Sequence, residues 1–383
     1  MKRAWLLGHY GRESIGRPRT APDHYTGRMH PADLFALTKA DWRALAADID
    51  EPGFRGEQIH RWIHLDLAGS FDQMTNLSKA LRAALTQRFG AAFATPAVVQ
   101  TGDRGATQKA LFRFEGDALA ETVLMAYPDR VTVCISSQAG CGMGCPFCAT
   151  GQMGLLRNLS AGEIVAQVLW AARTLRDLDL PDEWTRRVSN VVFMGMGEPL
   201  ANFDRVWEAV ERIHDPDGFN LSARGMTIST VGVLPGMRRL ASAALPVTLA
   251  LSLHAPNDEL RSRLVPLNER YPIKDLLNAA RAHRKAHGRR VSIEYAMIGG
   301  VNDSDDQARE LARLLRGDDF HVNLIPLNPT PGFEGPGSPA KQIERFRSLL
   351  EAGGVNATVR RNRGTDIDAA CGQLGARAVA AGA

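Results

Sequence analysis

Across residues 35 to 95, entered through Leu34, apolar positions recur at helical spacing: Leu37, Trp42 and Leu45, then Ile59, Trp62 and Ile63, then Leu77, Leu81 and Leu85. Charged residues fill the intervals and Pro52-Gly53 interrupts the run, so the pattern predicts a small helical domain. Over residues 97 to 133 the period becomes that of strands. Ala110-Leu111-Phe112-Arg113-Phe114 and Glu121-Thr122-Val123-Leu124-Met125 flank the turn-prone Glu115-Gly116-Asp117, which predicts a β-hairpin. Beyond it, short apolar runs at 131–135, 191–193, 226–229, 247–253, 291–297 and 322–327 alternate with longer helical patterns. Six βα units over residues 131 to 350 imply an α/β fold, a partial (β/α)6 TIM-like barrel with helices outside parallel strands. One crossover helix is marked at its start, because Ser160-Ala161-Gly162-Glu163 is a capping box ahead of Ile164, Val165, Val168 and Leu169. Residues 351 to 383 read as a C-terminal tail.

Length and composition fit this division. A chain of 383 residues with 44% hydrophobic content can bury a large core in one big domain with appendages or in two domains. No apolar run approaches the ~18 residues needed to span a membrane, and Ala4-Trp5-Leu6-Leu7 is too short for a signal-peptide core. Five cysteines without framework spacing fit a reducing compartment, so a cytoplasmic protein with no membrane partner is expected. The formal net charge is +4, and residues 1 to 30 account for all of it through Lys2, Arg3, Arg12, Arg17, Arg19 and Arg28 against Glu13 and Asp23. That arm reads either as an electrostatic, disordered contact to a polyanion or as a passive leader before Met29.

The chemistry starts with Cys141-Gly142-Met143-Gly144-Cys145-Pro146-Phe147-Cys148, which supplies three thiolates where a closed metal site needs four. An iron-sulfur cluster held by three cysteines keeps one iron open to a small molecule. The alternative is a structural zinc knot with Cys134 as fourth ligand, although no second Cys/His pair accompanies the run. Gly197 and Glu198, in Gly195-Met196-Gly197-Glu198-Pro199, lie just past a predicted strand, where backbone and carboxylate can hold an ammonium group. Ser229, the segment Ser252-Leu253-His254-Ala255, and Asn328 also close predicted strands. Singly, such residues are ordinary caps or turns, but their recurrence at the carboxyl ends of barrel strands points to one site. Cys371, after Arg360, Arg361 and Arg363, reads either as an inert small hydrophobe or as a reactive thiol on a tail, and Cys134 is either core or a thiol at the barrel mouth.

The cysteine run and the Gly-Glu-Pro element together resemble those of radical S-adenosylmethionine (SAM) enzymes. With Glu121-Thr122-Val123, Cys134-Ile135-Ser136-Ser137-Gln138-Ala139-Gly140-Cys141, Ser252-Leu253-His254-Ala255-Pro256-Asn257 and the Cys371 tail, residues 35 to 375 resemble the radical-SAM adenine-C2 methyltransferases of 23S rRNA and tRNA. The resemblance implies a 4Fe-4S cluster on Cys141, Cys145 and Cys148, and SAM held by Gly197, Glu198, Ser229, Ser252, Leu253, His254 and Asn328. It further implies that Cys371 takes a methyl group from one SAM, and that a second SAM, reductively cleaved, yields a radical that activates this methyl for addition to C2. Cys134 would release the product through a transient disulfide with Cys371, and Glu121 would accept the proton. The implied partners are 23S rRNA and tRNA, gripped by the helical domain with the target adenosine unstacked, and an electron donor such as flavodoxin or ferredoxin, with the enzyme a monomer. Three alternatives stand beside this reading: a related C8 methyltransferase, a radical-SAM activase of a protein partner, and a zinc-stabilised RNA-binding protein.

Overall fold

The computed structural model describes residues 31–90, 93, 95–328, 330 and 332–360. The arm of residues 1–30 and the segment carrying Cys371 lie outside this range.

Three helices build the first domain: α1 (Lys39–Asp48), α2 (Gly53–His64) and α3 (Lys79–Phe89), preceded by a 3-10 turn at Pro31–Ala36. Thr38 starts α1 through a capping box with Asp41, Ser78 caps α3, and Pro52, the expected interruption, is the N-cap residue of α2. The apolar positions face inward around Trp42, Phe71 and Phe89. Trp62 is half-buried instead, and its indole N–H donates to Asn76 Oδ1 at 2.7 Å.

The chain then forms β1 (Val98–Gly102), β2 (Thr107–Phe114), β3 (Ala118–Ala126), β4 (Val131–Cys134), β5 (Gln138–Gly140), α4 (Ala149–Met153), β6 (Leu155–Asn158) and α5 (Ala161–Asp177). It continues through β7 (Asn190–Phe193), α6 (Phe203–His214), β8 (Met226–Thr230), α7 (Leu234–Ala241), β9 (Thr248–Ser252), α8 (Asp258–Leu264) and α9 (Ile273–His287). The last elements are β10 (Val291–Met297), α10 (Asp305–Leu315), β11 (Phe320–Pro326), α11 (Ala340–Ala352) and β12 (Asn356–Val359).

Ten strands form one sheet in the order β1-β2-β3-β4-β7-β8-β9-β10-β11-β12, while β5 and β6 pair separately beside the cysteine run. The expected hairpin is β2–β3, turning at residues 115–117, and β3 continues antiparallel into β4. From β4 to β12 every pairing in the large sheet is parallel, so the helices between these strands cover it as a partial barrel. All six expected strands are present. A seventh, β12, runs parallel to β11 inside the segment read as a tail. It escapes pattern reading because Asn-Ala-Thr-Val has only one buried position, Ala357.

Helix α5 opens with the expected capping box, and Arg157 adds a bidentate pair to Glu163 at 2.8 and 2.7 Å. It is buried on nearly all sides, because the sheet packs against one face and the helical domain against another. The docking leaves no room at Gly162, where a Cβ would lie 2.0 Å from the Ala32 carbonyl oxygen. Arg173 of α5 secures the junction by donating to the carbonyls of Ala68 and Phe93. Among the described residues no helix is long and apolar enough to cross a membrane.

Candidate active site

A cavity of about 200 Å³ opens at the carboxyl ends of the parallel strands. Cys141, Cys145 and Cys148 line it together with Gly197 and Glu198 after β7, Ser229 on β8, Ser252 on β9 and His254 after β9. Residues separated by more than a hundred positions thus meet on one rim, as the strand-end pattern predicts. Leu253 and Asn328 do not line the cavity. Leu253 is wholly buried, and its backbone bonds link β9 to neighbouring elements.

The cysteine run is anchored at both ends by backbone hydrogen bonds: Cys141 N–H to the Gly154 carbonyl at 2.8 Å, and Gln152 N–H to the Cys148 carbonyl at 3.0 Å. Burial pushes the Cys141 thiol up to about 12 and Cys145 well above its ordinary range, and neighbouring cysteines add to both shifts. Low-dielectric thiols facing one space are poor thiolates in isolation but become thiolates under a bound cationic centre. Among the described residues no three His, Cys, Asp or Glu side chains gather around a single metal ion. Cys134, proposed as a zinc ligand in the alternative reading, is not among the residues facing this cavity. Three thiols spread around one cavity fit a cluster, in which each thiolate binds a different iron.

Glu198 is buried, and desolvation raises its carboxyl to about 7. Oε1 accepts from Leu200 N–H at 3.0 Å and Oε2 from Val231 N–H at 2.9 Å, so the side chain ties the β7 loop to the β8 loop as well as facing the cavity. Gly197 is constrained twice: its φ is +97°, and a Cβ would lie 2.5 Å from Gln138 Cβ. His254 adopts a positive φ of 62° and packs edge-on against Phe147, with ring centroids 5.1 Å apart. Its Nδ1 accepts from Ala296 N–H at 3.0 Å, which leaves the proton of the neutral ring on Nε2. Burial, followed by the charge of Arg261, lowers its pKa to about 3.

Three contributors were not placed at this site by the sequence. Arg261 on α8 is fully buried and donates to the carbonyls of Val231 (2.6 Å), Ser252 (3.1 Å) and Leu253 (3.0 Å) and to Asn268 Oδ1 (2.9 Å). It therefore clamps the ends of β8 and β9 behind the cavity wall. Glu294 on β10 faces the cavity, its carboxyl raised by burial and opposed by hydrogen bonds from Ser292 and Asn323. A carboxylate inside a largely apolar strand was its available signal. Arg360, immediately after β12, also lines the cavity; with β12 unread, nothing placed it there.

Glu121 and Cys134 lie on the hairpin side. Glu121 pairs with Lys109 at 3.0 Å, and both side chains are buried. Cys134 carries a thiol raised by burial, an effect opposed first by Arg360, then by a hydrogen bond with the Met194 backbone, then by Lys109. Met194 and Arg360 both line the cavity, which puts Cys134 directly behind its wall. The four described cysteines are all free thiols, so the expected disulfide is not seen, and Cys371 lies outside the described residues.

Family models match both parts of the chain: the radical SAM superfamily over residues 135–314 and the ribosomal RNA large subunit methyltransferase N-terminal domain over residues 32–90. A probable dual-specificity RNA methyltransferase RlmN from Chloroflexus aurantiacus is 52% identical over 362 residues, covering 92% of this chain and 95% of the relative. The chain belongs to the RlmN family of radical-SAM RNA methyltransferases. A second RlmN relative, from Parafrankia sp., is 52% identical over 92% of this chain and 94% of its own length. A radical SAM methyltransferase from Sphaerobacter thermophilus superposes with a TM-score of 0.84 at 50% identity, covering 89% of this chain and 98% of that one. With family and fold in agreement, the zinc-stabilised binding protein and the protein activase drop out.

Proposed function

We propose that the cavity at the carboxyl ends holds SAM against a 4Fe-4S cluster on Cys141, Cys145 and Cys148, and that the enzyme methylates C2 of adenosine in 23S rRNA and tRNA. The observation that carries this is the meeting of the three thiols with Glu198, Ser229, Ser252 and His254 around one cavity. When bound, the cluster supplies the electron for reductive cleavage of SAM at its open iron. Glu198 and the Gly197 backbone orient the cofactor's amino group. The neutral His254 offers an N–H donor from a ring fixed by Ala296.

Cys371 is the methyl carrier in this reading. It follows Arg360 by eleven residues, a tether of at most about 35–40 Å when extended, ample to return the thiol to the cavity. Cys134, behind the wall, is the thiol that releases the product, and Glu121, held by Lys109, is the proton acceptor. C2 is favoured over C8 because the relatives are named as dual-specificity RNA methyltransferases. The reading requires a one-electron donor of the flavodoxin or ferredoxin type and is framed for a monomer.

Anaerobic reconstitution with SAM, reductant and RNA, followed by mass-spectrometric mapping of the modified base, tests it. Wild-type protein should yield 2-methyladenosine, Cys145→Ala should bind no complete cluster, Cys134→Ala should accumulate a nuclease-sensitive protein–RNA adduct, and Cys371→Ala should form neither product nor adduct. Methylation at C8, or normal turnover by Cys371→Ala, would overturn the assignment.

A further inference from the structure

A second cavity, of about 290 Å³, lies at the other end of the sheet. Its walls come from the end of α2 and the residues just after it (His64, Leu65 and Leu67), the last turns of α5, the segment leading into β7 and the loop before β8. These last two segments precede their strands, so the cavity sits by the amino-terminal ends, away from the thiols. It is also the seam between the helical domain and the barrel.

Three arginines, Arg176, Arg186 and Arg187, surround it, and no acidic side chain lines it. Each guanidinium is held by main-chain oxygens: Arg176 by Asp66 (2.6 Å) and Leu65 (3.1 Å), Arg186 by Leu178 (2.9 Å) and Leu180 (2.9 Å), and Arg187 by Asn220 (3.2 Å). None has a carboxylate within 4.0 Å among the described residues. These cations are therefore oriented in advance yet keep their charge and part of their five-donor forks uncommitted, the condition that suits a phosphate. Phe219 and Leu175 supply apolar surface beside them. His64 completes the wall with neither ring nitrogen bonded, and burial lowers its pKa to about 3, so it adds no competing charge.

We propose that this cavity binds a nucleotide phosphate, and that its source is a segment of the substrate RNA remote from the reacting adenosine. The assignment to RNA rests on the RNA-methyltransferase reading above; the phosphate chemistry does not. A contact at this end of the sheet adds affinity without touching SAM. It also engages both domains across their seam.

The test uses the full-length reconstituted enzyme and the double variant R186Q/R187Q, which leaves the bonds of Arg176 to the helical domain in place. Affinity for a tRNA transcript is measured across a salt series. The expected result is a loss of roughly tenfold or more at moderate salt and a log–log salt slope shallower by about two. SAM cleavage without RNA and the unfolding midpoint should match wild type, which separates a lost contact from a damaged fold. Unchanged affinity and slope overturn the proposal. An adenosine monophosphate titration distinguishes the sources: saturable binding lost in the variant, with RNA affinity intact, would assign the site to a free nucleotide and overturn the RNA assignment. Failure of the functional reading shows separately, as a wild-type enzyme that methylates no RNA.

Discussion

The two ends of the parallel sheet handle charge in opposite ways. At the carboxyl ends Glu198, Glu294, His254 and Arg261 are withdrawn from water and each is fixed by hydrogen bonds, whereas at the amino ends Arg176, Arg186 and Arg187 remain exposed on carbonyl anchors. Burying a polar group is destabilising unless every bond is made, so it persists where fixed geometry matters. Exposed charge contributes little to stability and acts instead at long range on a charged partner. The contrast matches a site that must position a small cofactor at one end and a surface suited to a polyanion at the other.

The contrast is broken most severely at Arg261. Replacing it by Met leaves the carbonyls of Val231, Ser252 and Leu253 without this donor, and should lower unfolding free energy by about 3–5 kcal/mol in urea titrations. A loss under about 1 kcal/mol would mean that the clamp is not what holds the rim. Gly197→Ala comes next, because it combines a φ of +97° with a Cβ placed 2.5 Å from Gln138. A cost of about 2–3 kcal/mol and clearly weaker SAM binding are expected, and wild-type SAM affinity in this variant would remove Gly197 from the cofactor site.

Acid titration sharpens the comparison further. His64 and His254 both have folded pKa values depressed to about 3 from 6.5, so the stability they represent is present above about 6.5 and is lost as pH falls toward 3. Each can contribute up to about 1.4 kcal/mol per pH unit within that window. Glu198 has the opposite sign: raised from 4.5 to about 7, its contribution is full below about 4.5 and is lost as pH rises through 7. His64→Leu should flatten the acid limb of a stability–pH profile while leaving SAM binding alone, and an unchanged acid limb would reject the buried neutral state. The smallest effect belongs to the exposed arginines. Arg186→Gln should shift stability by no more than about 0.5 kcal/mol, and a larger drop in thermal unfolding would show that its carbonyl bonds are structural.

Much of this architecture is legible in the sequence. The helical domain, the hairpin, six parallel strands and the α5 capping box follow from apolar period and cap chemistry, which are properties of neighbouring residues. The same logic located the cysteine run and most of the rim, since Gly197, Glu198, Ser229, Ser252 and His254 all sit where a barrel places its chemistry. Leu253 and Asn328, expected at the same strand ends, do not line the cavity. Which end residue points inward depends on where each strand stops.

By itself, then, the sequence determined most of the order of elements, the three-cysteine run and the strand ends at which the cavity opens, because each is written in short-range spacing. Only the tertiary structure decided that Arg261 clamps two strands, that Lys109 accompanies Glu121, that β12 brings Arg360 to the cavity, and that three arginines gather around a seam between domains. A buried or clustered charge takes its meaning from partners contributed by distant segments, and local pattern carries no information about which segments those are.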